Sequence, residues 1–93
     1  MDRAKQDARA KEFLDSVADT LTQRAKEYPA YSLEAQSVAM VWNVINPGRV
    51  IQPQDVPLFM MIVKLVRHGA GNSPDSLVDL VGYAARLEGM GHE

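Results

Sequence analysis

Residues 56–66 read Val-Pro-Leu-Phe-Met-Met-Ile-Val-Lys-Leu-Val, and only Pro57 and Lys64 in this run lack a large apolar side chain. A helix that is apolar on every side needs cover on every side. The run is too short for a membrane span, which takes about 20 apolar residues. We therefore predict an all-α protein in which this central helix is buried by amphipathic neighbours.

The composition is that of one small domain covering residues 1–93. With 46% hydrophobic residues, a chain of 93 residues has room for one core. A net charge of -2 disfavours a nucleic acid as the main partner, and no segment indicates a membrane anchor or a signal peptide. The chain has no cysteine, which excludes disulfides and thiolate metal sites. We expect a cytoplasmic protein.

Capping and breaking residues divide the chain into four predicted helices. Residues 2–27 contain no Gly or Pro and form a long N-terminal helix, whose first eleven residues offer only alanines for packing and are expected to fray or project. Ser32 is a candidate N-cap for a second helix that ends before Asn46-Pro47-Gly48. The central helix covers residues 55–68, with Gln54 or Asp55 near its N-cap.

The last two helices are predicted to form an antiparallel hairpin. Gly69 is the expected C-cap of the central helix, and Ser73-Pro74-Asp75 is typical of a helix start. The final helix then covers residues 74–88, followed by a loose tail at 89–93. The predicted core is made of apolar residues at helical spacing. It consists of Phe13, Val17, Trp42, Leu58, Phe59, Met61, Ile62, Leu65, Val66, Leu77, Leu80 and Val81.

A polar cluster is predicted across the hairpin, where facing residues have numbers that sum to about 142 or 143. This register pairs Lys64 with Asp79 and Arg67 with Asp75. An unpaired charge in the otherwise apolar central helix would cost several kcal/mol, so Lys64 requires a carboxylate partner. The favoured interpretation is structural. The alternative is a small polar pocket that also includes Tyr83.

Catalytic chemistry has little support in the residues. Asp15 and Asp19 lie one helical turn apart, as do Asp75 and Asp79, which is the spacing of a weak candidate site for magnesium in a nucleotide pyrophosphohydrolase. Such spacing is also ordinary on solvated helix faces. His68 and His92 are too few for a zinc site. We predict no catalytic residue, metal or cofactor.

The region from Trp42 to Tyr83 resembles a phage-borne family of small helical proteins without an assigned function, remotely similar to MazG-like nucleotide pyrophosphohydrolases. The similarity is carried by residues 38–42, 54–56, 60–67 and 75–84. MazG-like enzymes hold magnesium with two acidic motifs. Asp79 matches the last residue of the second motif, but Ser76 replaces its Glu partner and the first motif is absent. The resemblance therefore implies a helical fold and phage origin more than it implies catalysis.

These observations lead to two functional hypotheses. The first is a non-enzymatic phage protein that binds a host bacterial protein during infection, in host takeover or superinfection exclusion. Its alternative is a degenerate MazG-like domain that binds or hydrolyses nucleotides. For the first hypothesis, the candidate contacts lie on the exposed side of the first two helices. They are Arg9, Glu12, Arg24, Lys26 and Tyr31.

Self-association is a further expectation, because three amphipathic helices give little cover to a helix that is apolar all round. Apolar residues off the main stripe of the second helix and on the remaining circumference of the central helix are the candidates for a homodimer interface. They are Met40, Val41, Val44, Met60 and Val63.

Overall fold

The computed structural model describes residues 2–28, 30–71 and 75–91, and within these ranges the chain forms four helices and no strand. They are α1 (Arg3–Glu27), α2 (Tyr31–Ile45), α3 (Asp55–Ala70) and α4 (Ser76–Met90). The all-α class and the four-helix architecture predicted from the sequence are confirmed. No helix in the described ranges is long and apolar enough to cross a membrane.

The first two helices are separated where the proline was expected to break the chain. The Asp2 carboxylate caps α1 by accepting a hydrogen bond from the backbone N–H of Lys5 at 2.9 Å. Tyr28 ends α1 in an extended conformation, as the residue before a proline prefers. Ser32 is not the N-cap of α2. The N-cap is Ala30, two residues earlier, so Ser32 falls in the first turn of the helix and is buried.

The ends of the hairpin helices differ from the prediction by a few residues. Gln54 is the N-cap of α3 as expected, but α3 continues past Gly69 to Ala70. The C-cap is Gly71, whose φ of 74° is the left-handed conformation that glycine adopts without strain. The predicted start of the last helix at Ser73 and Pro74 lies outside the described residues, and α4 extends to Met90 instead of ending at Glu88.

Packing places α4, and not α3, at the centre of the molecule. α3 and α4 lie side by side along most of their lengths, as the hairpin prediction required. α4 also contacts α1 and α2. In the described ranges, α4 is the only helix that α1 contacts. The prediction that α3 is buried on all sides is therefore wrong, because α1 covers α4 and leaves the outer side of α3 without a neighbour.

The core is small and is built at one end of the hairpin. Ala35 and Ala39 of α2 pack on Val56 at the start of α3, with Met90 from the end of α4 beside them. Val17 is the one buried residue of α1. Several predicted core residues are exposed instead, since the helices that were expected to cover them pack elsewhere. They are Trp42, Leu58, Phe59, Ile62, Leu65, Val66 and Leu77.

The remaining predicted core residues, Phe13, Met61, Leu80 and Val81, are half-buried. Trp42 has a role other than that of a core anchor. Its indole N–H donates to the carbonyl of Arg49 at 3.0 Å. The neighbouring Asn43 exchanges two hydrogen bonds with the backbone of Ile51, at 3.0 and 2.8 Å. Together these bonds hold the connection between α2 and α3 against α2.

Candidate functional site

A polar groove lies between the second half of α1, the start of α2 and α4. We call it the α1/α4 groove. It joins a cavity of about 130 Å³ to a wider one of about 500 Å³. Its polar and aromatic lining residues are Arg24, Tyr28, Tyr31, Glu34, Lys64, Asp79, Tyr83 and Arg86. The groove thus brings together residues from all four helices.

Lys64 and Asp79 form the inner wall of the smaller cavity. Lys64 Nζ lies 3.0 Å from Asp79 Oδ2, and the side chains are 13% and 28% exposed. The pairing predicted from the hairpin register is confirmed. Because both groups are largely withdrawn from water, each neutralises a charge that would otherwise be poorly solvated.

The other members of the predicted polar cluster separate in the structure. Arg67 and Asp75 are both exposed and form no ion pair with each other. Asp75 instead occupies the N-cap position of α4. Tyr83 stays near Lys64 and Asp79, since all three line the smaller cavity. The alternative prediction was a polar pocket of five residues. Of these, only Lys64, Asp79 and Tyr83 line one cavity in the structure.

The middle of the groove is an aromatic and cationic cluster. The rings of Tyr31 and Tyr83 meet edge to face, with centroids 5.9 Å apart and planes inclined by 61°. The Arg86 guanidinium carbon lies 5.5 Å from the Tyr31 centroid and 5.1 Å from that of Tyr83. Arg86 can attract both rings through their negative faces. This cluster connects the first turn of α2 to α4.

The phenol of Tyr31 keeps its proton to a higher pH than an ordinary tyrosine. Burial raises the pKa of its phenol to about 12, and the electrostatic influence of Tyr83 and Glu34 acts in the same direction against the opposing effect of Arg86. The hydroxyl is therefore a hydrogen-bond donor and acceptor throughout the physiological range. Tyr31 was predicted to be an exposed partner contact, but it is half-buried in this cluster.

The guanidinium groups of Arg24 and Arg86 could bind an anion in the groove. Arg24 is in the last turn of α1 and Arg86 in the second half of α4. No carboxylate of the described residues lies within ion-pair distance of either group. Guanidinium groups bind carboxylates and phosphates in a planar, bidentate geometry. The groove is thus suited to an anionic group presented by a ligand or by a partner protein.

The other candidate partner contacts lie on α1. Arg9, Glu12 and Lys26 are exposed, in agreement with the predicted accessibility of this helix. Arg24 is also exposed, and it faces the groove. The four α1 residues therefore remain accessible, whereas Tyr31 serves mainly to connect helices.

The aspartates considered for magnesium do not converge. Asp15 pairs with Lys11 at 3.0 Å on the exposed surface of α1, and Asp79 is committed to Lys64. Within the ranges that the structure describes, no group of three or more acidic or histidine side chains is placed to hold a metal ion. The donor set thus does not fit the acidic motifs of a MazG-like magnesium site.

Tyr28, Glu34 and Arg86 line the groove but were not among the residues predicted from the sequence. Arg86 follows Tyr83 at a spacing of three, which places both on one face of α4. That spacing was a usable signal for their contact. No local pattern in the sequence indicates that Tyr31 and Glu34 of α2 approach α4, because this contact depends on how the two helices pack.

The chain belongs to the protein family described as domain of unknown function DUF6378, whose profile matches residues 4–90. It is also similar to the Gene 55 protein of Mycobacterium phage L5, with 33% identity over 69 residues. This alignment covers 73% of the chain and 44% of the phage protein, so the chain spans less than half the length of this relative. No solved structure matches the chain significantly. These matches support a phage-related family, and the resemblance to MazG-like enzymes stays a prediction.

Proposed function

We propose that this member of the DUF6378 family is a non-enzymatic, phage-encoded interaction protein that binds a host bacterial protein in the host cytoplasm, in host takeover or superinfection exclusion. The observation that carries the proposal is the accessibility of α1. Every residue from Arg3 to Glu12 is exposed, although the helix itself is continuous to Glu27. A helix of 25 residues is about 38 Å long, a large part of the 51 Å length of the molecule.

The projecting half of α1 is supported by interactions within the helix. Asp2 caps its start, and the pairs Arg3 with Asp7 and Lys11 with Asp15 are each formed at 3.0 Å one turn apart. Such exposed pairs contribute only a few tenths of a kcal/mol each. The projecting segment is therefore an accessible charged surface, on which Arg9 and Glu12 are available to a partner without disturbing the core.

The C-terminal end of α1 supplies the positive part of this surface. Arg24 and Lys26 lie in its last turn, and Arg86 stands across the groove from Arg24. An acidic segment of a host protein would complement these charges, which also increases the rate of association. We therefore extend the proposed contact from the projecting half of α1 to its last turn and the mouth of the α1/α4 groove.

Capture from host lysate tests this proposal. We expect the immobilised protein to retain one specific host protein, and Arg24→Glu or Lys26→Glu to reduce its recovery, because each reverses a charge at the contact. Arg49→Glu is the matched control, since Arg49 is an equally exposed arginine in the connection between α2 and α3. Recovery that is unchanged in all three variants would show that the contact is elsewhere. Turnover of nucleoside triphosphates with magnesium, without a specific partner, would overturn the proposal.

Nucleotide binding is the second candidate, as the alternative expected of a degenerate MazG-like domain. It is favoured by the larger cavity of the groove, whose volume of about 500 Å³ is in the range of small-molecule sites. Arg24 and Arg86 would bind phosphate, and Tyr28 at the rim would contact a base.

Thermal unfolding with a nucleotide panel tests this second candidate. A ligand at 100 times its Kd stabilises the folded state by about 2.7 kcal/mol, which gives a clear increase in melting temperature. We expect Arg24→Gln to abolish the increase if the groove is the site. Arg49→Gln serves as the control. Melting curves that no nucleotide shifts at millimolar concentration would remove this candidate.

A further inference from the structure

The outer face of α3 is an apolar surface that no other helix of the described residues covers, and it is formed by residues at helical spacing. Its members lie 46 to 66% exposed, and we call them the α3 stripe. They are Leu58, Phe59, Ile62, Leu65 and Val66. Spacings of three and four place them on one side of the helix, opposite the side that contacts α4. No charged residue interrupts this stripe.

We propose that the α3 stripe is the interface of a homodimer in which two copies of α3 pack antiparallel about a two-fold axis at Ile62. This assembly goes beyond the proposed function and uses a different surface, since the host contact is placed on α1. The proposal replaces the interface expected from the sequence. Met60 and Val63 face the inside of the molecule and are half-buried, so they are unavailable to a second copy.

The amount of exposed surface favours a second copy. A compact monomer of 10.3 kDa has an accessible surface of about 5,400 Å². This chain exposes 6973 Å², which is about 1,600 Å² more than that value. Obligate homodimers bury about 2,000 Å² or more in total, counting both partners. Part of this excess belongs to the projecting half of α1, and its apolar part includes the α3 stripe, which a second copy would cover.

The dimensions lead to the same conclusion. The radius of gyration is 15.4 Å, whereas a compact domain of 93 residues has one of about 12 Å. The chain is extended because the first half of α1 projects from the molecule and because α1 packs on α4 and not on the outer side of α3. α2, which contacts α3, carries Met40, Val41 and Val44 as further exposed apolar side chains. These residues are available to extend the buried area beyond the α3 stripe.

The register of the stripe is self-complementary. In an antiparallel pair centred on Ile62, facing residues have numbers that sum to 124, so Ile62 faces Ile62 of the second copy. Leu58 then faces Val66 of the second copy, and Phe59 faces its Leu65. All five stripe residues thus find an apolar partner within the stripe. Because a two-fold axis brings identical groups together, the absence of charge from this face removes the repulsion that would oppose self-pairing.

The helix ends are also compatible with antiparallel packing. α3 has Asp55 in its first turn and Arg67 and His68 in its last turn. An antiparallel arrangement places the first turn of one copy beside the last turn of the other. Opposite ends of the helix dipoles then lie near each other, and Asp55 of one copy lies beside the last turn of the other. Binding of a different protein would not require the stripe and the helix ends to be complementary to themselves.

Sedimentation velocity at tens of micromolar is the first test. We expect wild-type protein to have the mass of a dimer. Ile62→Glu should be monomeric, because two carboxylates would then meet at the axis. Val50→Glu is the control, since Val50 is an equally exposed apolar residue in the connection before α3. It should remain dimeric, and circular dichroism checks that both variants keep their helices.

Crosslinking tests the register independently, because the natural chain has no cysteine. Ile62→Cys should oxidise to a disulfide-linked dimer, as two Cβ atoms near the axis can approach the distance of about 4 Å that a disulfide requires. Leu14→Cys, on an exposed position of α1, should remain mostly unlinked. A monomeric wild-type mass, or a dimer that Ile62→Glu leaves intact, would overturn the proposal. Loss of host capture alone would leave it standing, because that result concerns α1.

Discussion

Lys64 of α3 and Asp79 of α4 form the ion pair that joins the two hairpin helices, with Nζ and Oδ2 3.0 Å apart. Both side chains also line the α1/α4 groove, so the same pair is part of the packing and part of the candidate site. A charge left unpaired here would face a poorly solvated environment. Because the pair belongs to both the packing and the candidate site, substitutions of Lys64 and Asp79 can distinguish an effect on stability from an effect on binding.

A double-mutant cycle on this pair makes that separation. Lys64→Met alone should lower the free energy of unfolding by about 1 to 3 kcal/mol, because it leaves the Asp79 carboxylate without its partner. Lys64→Met with Asp79→Leu should recover much of the loss, since an apolar pair of similar volume replaces the charges. Denaturant unfolding measures both. Host binding retained by the stable double variant would assign the pair to structure, and its loss would assign the pair to the site.

Burial predicts which apolar truncations affect the folded monomer. Val17 is 3% exposed, and Val17→Ala should lower the free energy of unfolding by about 1 to 3 kcal/mol. Ile62 is 59% exposed, so Ile62→Ala should have less than about 1 kcal/mol of effect on the monomer. Chemical denaturation at low protein concentration distinguishes the two. If Ile62→Ala lowers the free energy of unfolding by more than this, and the loss increases with protein concentration, the effect comes from the dimer interface and not from the core of the monomer.

The two glycines near the end of α3 should respond in opposite directions to alanine. Gly71 has a φ of 74°, and alanine in this left-handed conformation costs about 1 to 2 kcal/mol. Gly69 is helical and has open space beside it, so Gly69→Ala should increase stability by up to about 1 kcal/mol. Melting temperatures of the two variants check this. Equal shifts of the same sign would contradict the placement of the C-cap.

The raised pKa of Tyr31 predicts a loss of stability at alkaline pH. Its folded-state pKa of about 12 exceeds the ordinary value of 10.0, so folding favours the protonated phenol. This contribution is complete below about pH 10 and is lost as the pH rises from 10 towards 12. Over that range the wild type should lose melting temperature relative to Tyr31→Phe, which cannot ionise. Parallel curves for the two proteins would show that Tyr31 titrates normally.

The pairing of Lys64 with Asp79 could be derived from sequence because both residues lie in one hairpin with a short connection. Once the two helices and their turn are assigned, facing residues follow from arithmetic. The same reasoning failed for Arg67 and Asp75. These residues lie at the exposed end of the hairpin, where solvation competes with an ion pair and little is lost if the pair does not form.

Sequence reasoning was less successful for the core. The spacing of Leu58, Ile62 and Leu65 correctly identifies an apolar side of α3, but spacing carries no information about which surface will cover it. In the structure α1 packs on α4, so no helix in the described ranges covers this side of α3. The α1/α4 groove was missed for a related reason, since Tyr31 and Arg86 meet only through the packing of α2 against α4.

The all-α class, the four helices and the Lys64–Asp79 register follow from the residues alone, because they depend on breaking residues, helical periodicity and one short connection. The central position of α4, the groove shared by Arg24, Tyr31, Tyr83 and Arg86, and the open α3 stripe follow from how the helices pack. The physical reason is that hydrophobic burial has no preferred direction. It requires that an apolar face be covered. Whether another helix of the chain or a second copy covers that face depends on how whole helices pack.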